Sequence, residues 1–288
     1  MQWFDYAAPA TLADALTLVA SHPQARALAG GTDLIVQMRA GRRTPDMVVD
    51  VKKIPELNEL RFDEATGLVL GAAVPCYRIY HDAAVRRWYP ALVELTSLIG
   101  GTQIQGRASV GGNLCNSSPS ADSIPLLIAL SARCRIASAK GERMVAVEDF
   151  CTAPGRNVLA PGELLVALHI PPPAPRSGAK YIRFIPRNEM DIAVAGAGVS
   201  VTLENGHVSA ARIALAAVAP TPLLVAEAGQ ALVGKPPTPE HLREAAELAK
   251  AAARPITDMR GTAEYRRHLC AVLTRRALEA AVEEAQHA

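Results

Sequence analysis

Two pairs of adjacent glycines, Gly30-Gly31 and Gly111-Gly112, each follow an apolar segment and each open onto polar residues. Glycine adopts left-handed angles readily and lets a second group approach the main chain closely, so each pair narrows the local backbone to a tight bend or a close contact. The longer stretch runs Ala108-Ser-Val-Gly-Gly-Asn-Leu-Cys-Asn-Ser-Ser-Pro-Ser-Ala-Asp122. Successive N–H groups in such a bend form a positively polarised nest suited to phosphate oxygens. Asp122 stands just before the apolar sequence Ile124–Leu130, where it either caps a helix or accepts hydrogen bonds from ligand hydroxyls.

The shorter stretch is Leu28-Ala-Gly-Gly-Thr-Asp-Leu-Ile35. It predicts a strand over 26–29, a glycine turn, and a helix over 34–40 with Thr32 and Asp33 supplying N-cap oxygens. A helix that starts after a glycine-rich turn presents free N–H donors to an anion such as a diphosphate. Alone, the longer stretch is equally compatible with a tight turn and the shorter with an ordinary strand–turn–helix corner; together they point to a dinucleotide-like ligand. Neither G-x-G-x-x-G nor G-x-x-x-x-G-K-[ST] occurs, so neither a Rossmann site nor a P-loop is supported.

The pair AGGTDL and ASVGGNLCNSSPSAD resembles the FAD-binding medium subunit of the molybdenum hydroxylases, a family that includes xanthine dehydrogenases, carbon monoxide dehydrogenase and hydroxybenzoyl-CoA reductases. The resemblance continues through residues 180–192 (KYIRFIPRNEMDI) and the tail 265–278 (YRRHLCAVLTRRAL), so it spans nearly the whole chain. It implies an α+β chain: a two-lobed FAD-binding fold of the PCMH/VAO type, followed by a domain of a three-stranded antiparallel sheet and a helical bundle. The expected division is 1–173, with lobes of about 1–54 and 55–173, and then 176–288.

Composition sets bounds on partners. The 288 residues are 50% hydrophobic, enough for a substantial core and for two domains. Charge is balanced at +2, from 30 basic and 28 acidic residues, which argues against nucleic acid as the main partner. No apolar run is long enough to span a bilayer, and residues 1–6 lack the pattern of a secretory leader, so a cytoplasmic location is expected. Cys76, Cys115, Cys134, Cys151 and Cys270 are dispersed, which fits reduced thiols and leaves no cysteine set for a metal or cluster in this chain.

In chain order, Thr11 and Asp14 open a capped helix that His22-Pro23 stops. The β-α-β unit around Gly30-Gly31 follows, with Arg39, Arg42 and Arg43 expected on a solvated face. Residues 53–58 form a seam. A hairpin is predicted around Thr66-Gly67, then two helices near 77–87 and 91–99, a buried helix over 124–130 with Pro125 in its first turn, strands near 134–138 and 144–147, and a strand over 164–170. Pro171-Pro172-Pro173 suits a stiff connector. Three strands are predicted over 180–185, 192–203 and 208–218, the last two joined by Asn205-Gly206. The small residues 193–198 predict a strand pressed against another surface. Helices are predicted over 223–232, 239–253 and 264–284, the last with Tyr265, Leu269, Val272, Leu273 and Leu278 on one face; Arg260, Arg266, Arg267, Arg275 and Arg276 are expected in solvent, with an acidic partner as the alternative.

The resemblance also implies residue roles. Leu28, Ala29, Gly30, Gly31, Thr32, Asp33, Leu34 and Ile35 supply diphosphate donors, and Ala108, Ser109, Gly111, Gly112 and Asn113 complete the cradle from the other lobe. Asp122 anchors the ribityl chain as a carboxylate acceptor. Ile99, Cys115 and Val166 match positions that contact the flavin in relatives, with simple core packing as the competing account. Arg183 stands where relatives commonly have Lys, which preserves charge but changes reach. Arg187 and Asp191 match a loop bordering the ring, where an ion pair that only staples the loop is the alternative. No catalytic side chain is expected.

The function implied is electron transfer through FAD, between [2Fe–2S] clusters on a small subunit and an external acceptor, with a molybdopterin cofactor on a large subunit, in a dimer of heterotrimers. A self-contained flavin oxidoreductase on the same fold, as the cell-wall enolpyruvyl reductases are, is the alternative. It requires a protonating residue and a substrate pocket in this chain, and no Ser/Glu/His set supplies them. A scaffold subunit that had lost its cofactor would require damaged glycine loops, and both are intact.

Overall fold

The computed structural model describes residues 2–188 and 190–288; Glu189, within the stretch 180–192, lies outside the described residues. The first lobe holds β1 (Asp5–Ala7), α1 (Leu12–Ser21), β2 (Arg26–Leu28), α2 (Leu34–Arg39) and β3 (Met47–Asp50). Its parallel sheet has the order β1-β3-β2, so the predicted β-α-β unit forms, with β1 as an added edge. Thr11 caps α1 by accepting from the Asp14 N–H at 3.2 Å, while its own hydroxyl donates to the Asp14 carboxylate at 2.6 Å.

After a 3-10 turn over Pro55–Asn58 the second lobe begins with β4 (Leu60–Asp63) and β5 (Gly67–Gly71). Then come α3 (Cys76–His81), α4 (Ala83–Trp88), α5 (Pro90–Ser97), α6 (Thr102–Gln105), α7 (Val110–Asn116) and α8 (Ser123–Ala129). The first of the two helices predicted here is split in two, because the Asp82 carboxylate accepts from the Val85 N–H at 2.9 Å and restarts the helix. The lobe continues with β6 (Arg133–Ser138), β7 (Gly141–Ala146), β8 (Cys151–Ala153), β9 (Arg156–Asn157) and β10 (Leu164–Ile170). An antiparallel sheet of order β4-β5-β10-β6-β7 results, with β8 and β9 paired apart from it. One core lies between the two lobes, where Val49, Val51 and Leu16 meet Leu164 and Val166.

The remaining elements are β11 (Ser177–Phe184), β12 (Ala195–Glu204), β13 (His207–Ala216), β14 (Leu223–Leu224), α9 (Ala226–Gln230), α10 (Pro239–Ala252) and α11 (Ala263–His287). The C-terminal sheet is four-stranded, β11-β12-β13-β14, and not three-stranded. Residues predicted as the start of a helix at 223 instead pair with Ala214 and Leu215, since an open sheet edge outweighs a weak local helical preference. Asn205 and Gly206 have φ of 51° and 78°, as a tight hairpin requires.

Helix α8 joins the second lobe to this sheet. All seven of its residues are buried, and a Cβ on Gly198 would lie 2.5 Å from the Pro125 carbonyl carbon. The small-residue strand is therefore pressed against a helix backbone, as its composition predicted. Carbonyls at the end of α8 are satisfied from the C-terminal domain: Arg212 Nε donates to Ile128 O at 2.9 Å and Ser200 Oγ to Ala129 O at 2.7 Å.

One arginine expected in solvent is buried. Arg266 is 4% exposed and donates to Val194 O at 2.8 Å, Ala217 O at 3.2 Å and Asp258 Oδ1 at 2.6 Å. It lies on the face of α11 that also buries Leu269 and Leu273, while Tyr265 is 41% exposed. Three acceptors make burial of the guanidinium tolerable. Among the described residues no helix is long and apolar enough to cross a membrane.

Candidate functional site

Glycine brings the two lobes together at one point. A Cβ on Gly30 would stand 2.1 Å from Arg107 O, so the turn after β2 touches the backbone that leads into α7. Arg107 Nε returns a bond to Gly30 O at 3.2 Å, and Gln37 Nε2 of α2 donates to Asn116 Oδ1 of α7 at 2.8 Å. A third link, Arg43 Nη2 to Gly155 O at 3.2 Å, takes Arg43 off the solvated face predicted for it.

The glycines at 111 and 112 behave differently from the expected bend. Neither has positive φ; both lie in the first turn of α7, where Ser109 Oγ accepts from the Gly112 N–H at 3.0 Å. Gly111 is required by proximity, because its Cβ would fall 2.5 Å from both Cα and O of Ala72. Gly31 does use left-handed backbone, at φ 79°. Asp33 stands at the N-cap position of α2 without a capping bond from its side chain.

Between these elements runs a cleft of about 930 Å³. Its wall includes Leu28 to Leu34, Ile99, Ala108, Ser109, Gly111 to Asn113, Cys115, Asp122, Arg183 and Asp191. Among the described residues, the N–H groups of Thr32, Asp33, Leu34 and Gly111 find no acceptor, and all four residues line the cleft. Free N–H groups gathered from two lobes are a ready-made site for an anion. Burial pushes the Asp33 carboxyl above its usual range, and the Cys115 thiol is pushed up to about 12 by burial first and the neighbouring Cys151 second. Cys115 is therefore a protonated, passive part of the wall.

Asp122 is gripped from the C-terminal domain. Tyr181 donates its hydroxyl to Asp122 Oδ1 at 2.7 Å, and Arg183 Nη1 pairs with Oδ2. Arg183 also donates to Leu98 O at 3.1 Å, so its charge is committed to a carboxylate and the end of α5. Burial raises the Asp122 carboxyl, and the arginine and phenol oppose that shift without cancelling it. Asp122 does not cap α8 with its side chain.

Three of the predicted residues do not line the cleft. Val166 is wholly buried in the core between lobes, Ile35 is 39% exposed, and Arg187 is in solvent, donating to Met190 O at 2.9 Å. The Arg187–Asp191 pair is loose at 3.9 Å, and Arg260 approaches the same carboxylate at 3.9 Å. A third wall that the sequence does not announce is made by residues 155–157 and 159–165, ordered by Asn157, whose amide donates to Cys115 O at 2.9 Å. Nothing local signals it, since its role depends on contact with α7. Tyr181 carried a signal, two positions before Arg183 on one face of a strand.

Residues 2–173 match the family described as the FAD binding domain in molybdopterin dehydrogenase, and residues 180–281 match the CO dehydrogenase flavoprotein C-terminal domain. The chain belongs to this flavoprotein family. The xanthine dehydrogenase FAD-binding subunit of Escherichia coli is 35% identical over 286 residues, covering 98% of each chain. The carbon monoxide dehydrogenase medium chain of Afipia carboxidovorans is 36% identical over 285 residues, 99% of this chain and 98% of that one. In structure, a chain of the carbon monoxide dehydrogenase of Hydrogenophaga pseudoflava superposes with a TM-score of 0.94 at 32% identity, covering 98% of both. A chain of quinoline 2-oxidoreductase from Pseudomonas putida gives 0.92 at 30% identity, covering 99% of this flavoprotein and 98% of that chain.

Proposed function

We propose that this chain is the FAD-binding electron-transfer subunit of a heteromeric molybdenum hydroxylase. FAD occupies the cleft between the lobes, within a fold of the PCMH/VAO type divided at about 1–54, 55–173 and 176–288. The observation that carries this reading is the convergence of unpartnered N–H groups from both glycine segments on one cleft of dinucleotide size. It is supported by relatives that are themselves FAD-binding subunits or medium chains of such dehydrogenases.

Each group in the cleft has work to do. The N–H groups of residues 32–34 and 111 hold the diphosphate, with Ala29, Gly30 and Gly31 forming the turn that presents the first three and Ala108 to Asn113 closing the opposite side. Asp122 accepts from the ribityl hydroxyls. Ile99, Cys115 and the backbone near Asp191 form the wall of the ring. Leu28 and Leu34 shield the cradle from water, while Ile35 and Val166 act through packing. Arg187 acts by tying the loop at Met190. When bound, FAD supplies the redox capacity that no side chain in the cleft has. The protein's part is to bind, orient and screen it.

Electrons arrive from [2Fe–2S] clusters on a small partner subunit and leave to an external acceptor; the molybdopterin cofactor and the substrate chemistry are on a large subunit. A dimer of heterotrimers in the cytoplasm completes the proposal, and the five free thiols suit such a reducing compartment. The experiment is purification of the complex with a single-turnover assay of the isolated chain. Iron–sulfur and molybdopterin chains co-eluting, and no reduction of the isolated chain by the organic substrate, are expected. Rapid reduction of the isolated chain would favour a self-contained oxidoreductase.

A further inference from the structure

Tyr181 has no role assigned by the glycine segments or by the residues that line the cleft. Its side chain is nevertheless built in with care. The residue is 5% exposed, so its hydroxyl needs a partner, and Asp122 Oδ1 supplies one at 2.7 Å. Space for the ring comes from the next strand: a Cβ on Gly196 would lie 2.6 Å from the Tyr181 hydroxyl oxygen. Arg183, on the same face of β11, takes the other oxygen of Asp122 and braces itself on Leu98 O at 3.1 Å. The side chains of Arg183 and Asp122 are 8% and 13% exposed. A carboxylate held at both oxygens cannot rotate, and each oxygen keeps a second lone pair for a ligand hydroxyl.

We propose that Tyr181 is a positioning residue for the cofactor: it and Arg183 clamp the two oxygens of Asp122 so that the carboxylate is presented to the ribityl hydroxyls in one fixed orientation. This rests on the cofactor reading given above. The clamp also means that the C-terminal domain completes a site whose other walls come largely from the first 173 residues. A plain docking role for Tyr181 would need only the ring seated against Gly196, with the hydroxyl as a staple to the other domain.

The groups that face Asp122 and bear on its ionisation are Tyr181 and Arg183, both from β11; Asn113 and Ser123, from α7 and α8, are neutral and bond each other at 2.6 Å. Removing the phenol O–H withdraws one stabiliser of the ionised carboxylate, so the carboxyl of Asp122 titrates higher. A protonated Asp122 is a poorer acceptor, so the acid limb of FAD binding moves to higher pH. Asp33 titrates in the same cleft, but it is the same in both proteins and cancels in the comparison.

The test is FAD affinity by flavin fluorescence on the full chain across pH 5–9, for wild type, Tyr181→Phe, Asp122→Asn and the double variant. Tyr181→Phe keeps the ring and is expected to bind FAD roughly tenfold more weakly at neutral pH, with its acid limb shifted upward. Asp122→Asn removes that limb, and adding Tyr181→Phe to it changes affinity less than twofold. Arg183→Gln probes the other arm of the clamp, and its acid limb also moves up. An unmoved acid limb in Tyr181→Phe, or in Arg183→Gln if the first variant does not fold, overturns the proposal. So does a double variant whose losses multiply. A wild-type chain that binds no FAD overturns the cofactor reading together with this one.

Discussion

Gly30-Gly31 and Gly111-Gly112 share a dipeptide, a preceding apolar segment and a wall of the same cleft, yet different physical demands fall on the four positions. Gly111 sits inside one lobe, against the backbone of Ala72, where nothing can move aside. Gly30 sits between lobes, against Arg107 O, where a clash is relieved by parting the lobes. Gly31 is there for its φ of 79°, and the atoms a Cβ would meet are the flexible tips of Leu28 and Ile35. Gly112 occupies an ordinary helical position whose nearest contact is Ser109 Oγ at 3.0 Å. The shared spelling conceals one packing site inside a lobe, one joint between lobes, one backbone requirement and one near-neutral position.

Substitutions separate these demands. Gly111→Ala should have the largest effect on stability, roughly 3 kcal/mol or more, a drop in Tm on the order of 10 °C in a thermal melt. Gly30→Ala should shift Tm less but weaken FAD binding by at least about tenfold in a fluorescence titration, because the two halves of the cradle move apart. If both variants lost stability equally, the distinction between a packed interior and a joint would fail. Gly31→Ala should cost about 1–2 kcal/mol in urea unfolding, with Gly31→Asn milder since Asn tolerates left-handed backbone. Gly112→Ala should lie within about 1 kcal/mol of wild type, the helical preference of Ala offsetting the contact with Ser109. A severe Gly112→Ala phenotype would mean that FAD itself approaches that Cα.

Much of the fold was legible where local signals agree. The strand Leu164–Ile170, the Thr11 cap, the Asn205-Gly206 turn and the pressed small-residue strand at 195–198 each combine propensity with a positional marker. Legibility failed where partners are distant in sequence. Strand β1 is three residues, half exposed, and exists because β3 offers it an edge. Strand β14 replaced the first residues of the helix predicted over 223–232 for the same reason, and the helix itself forms as α9. Arg266 reads as a surface cation until its three acceptors, drawn from two strand ends and a loop, are seen together.

The candidate site divides along the same line. That both glycine segments belong to one site was the expectation from their composition, and both line the same cleft. That Gly111-Gly112 begins a helix was not, since two glycines weaken every helical signal and the deciding contact, with Ala72, comes from another element. The commitment of Arg183 to Asp122 was equally hidden, because its partner lies 61 residues away.

The most direct test of the account is titration of the flavin-free chain with FAD and, separately, with FMN, which lacks the diphosphate bridge. One FAD per chain is predicted, with FMN at least about a hundredfold weaker because the cradle of N–H groups from both lobes is left unfilled. Equal affinity for the two flavins, or no binding of FAD, would contradict the claim that the glycine segments meet on a single diphosphate.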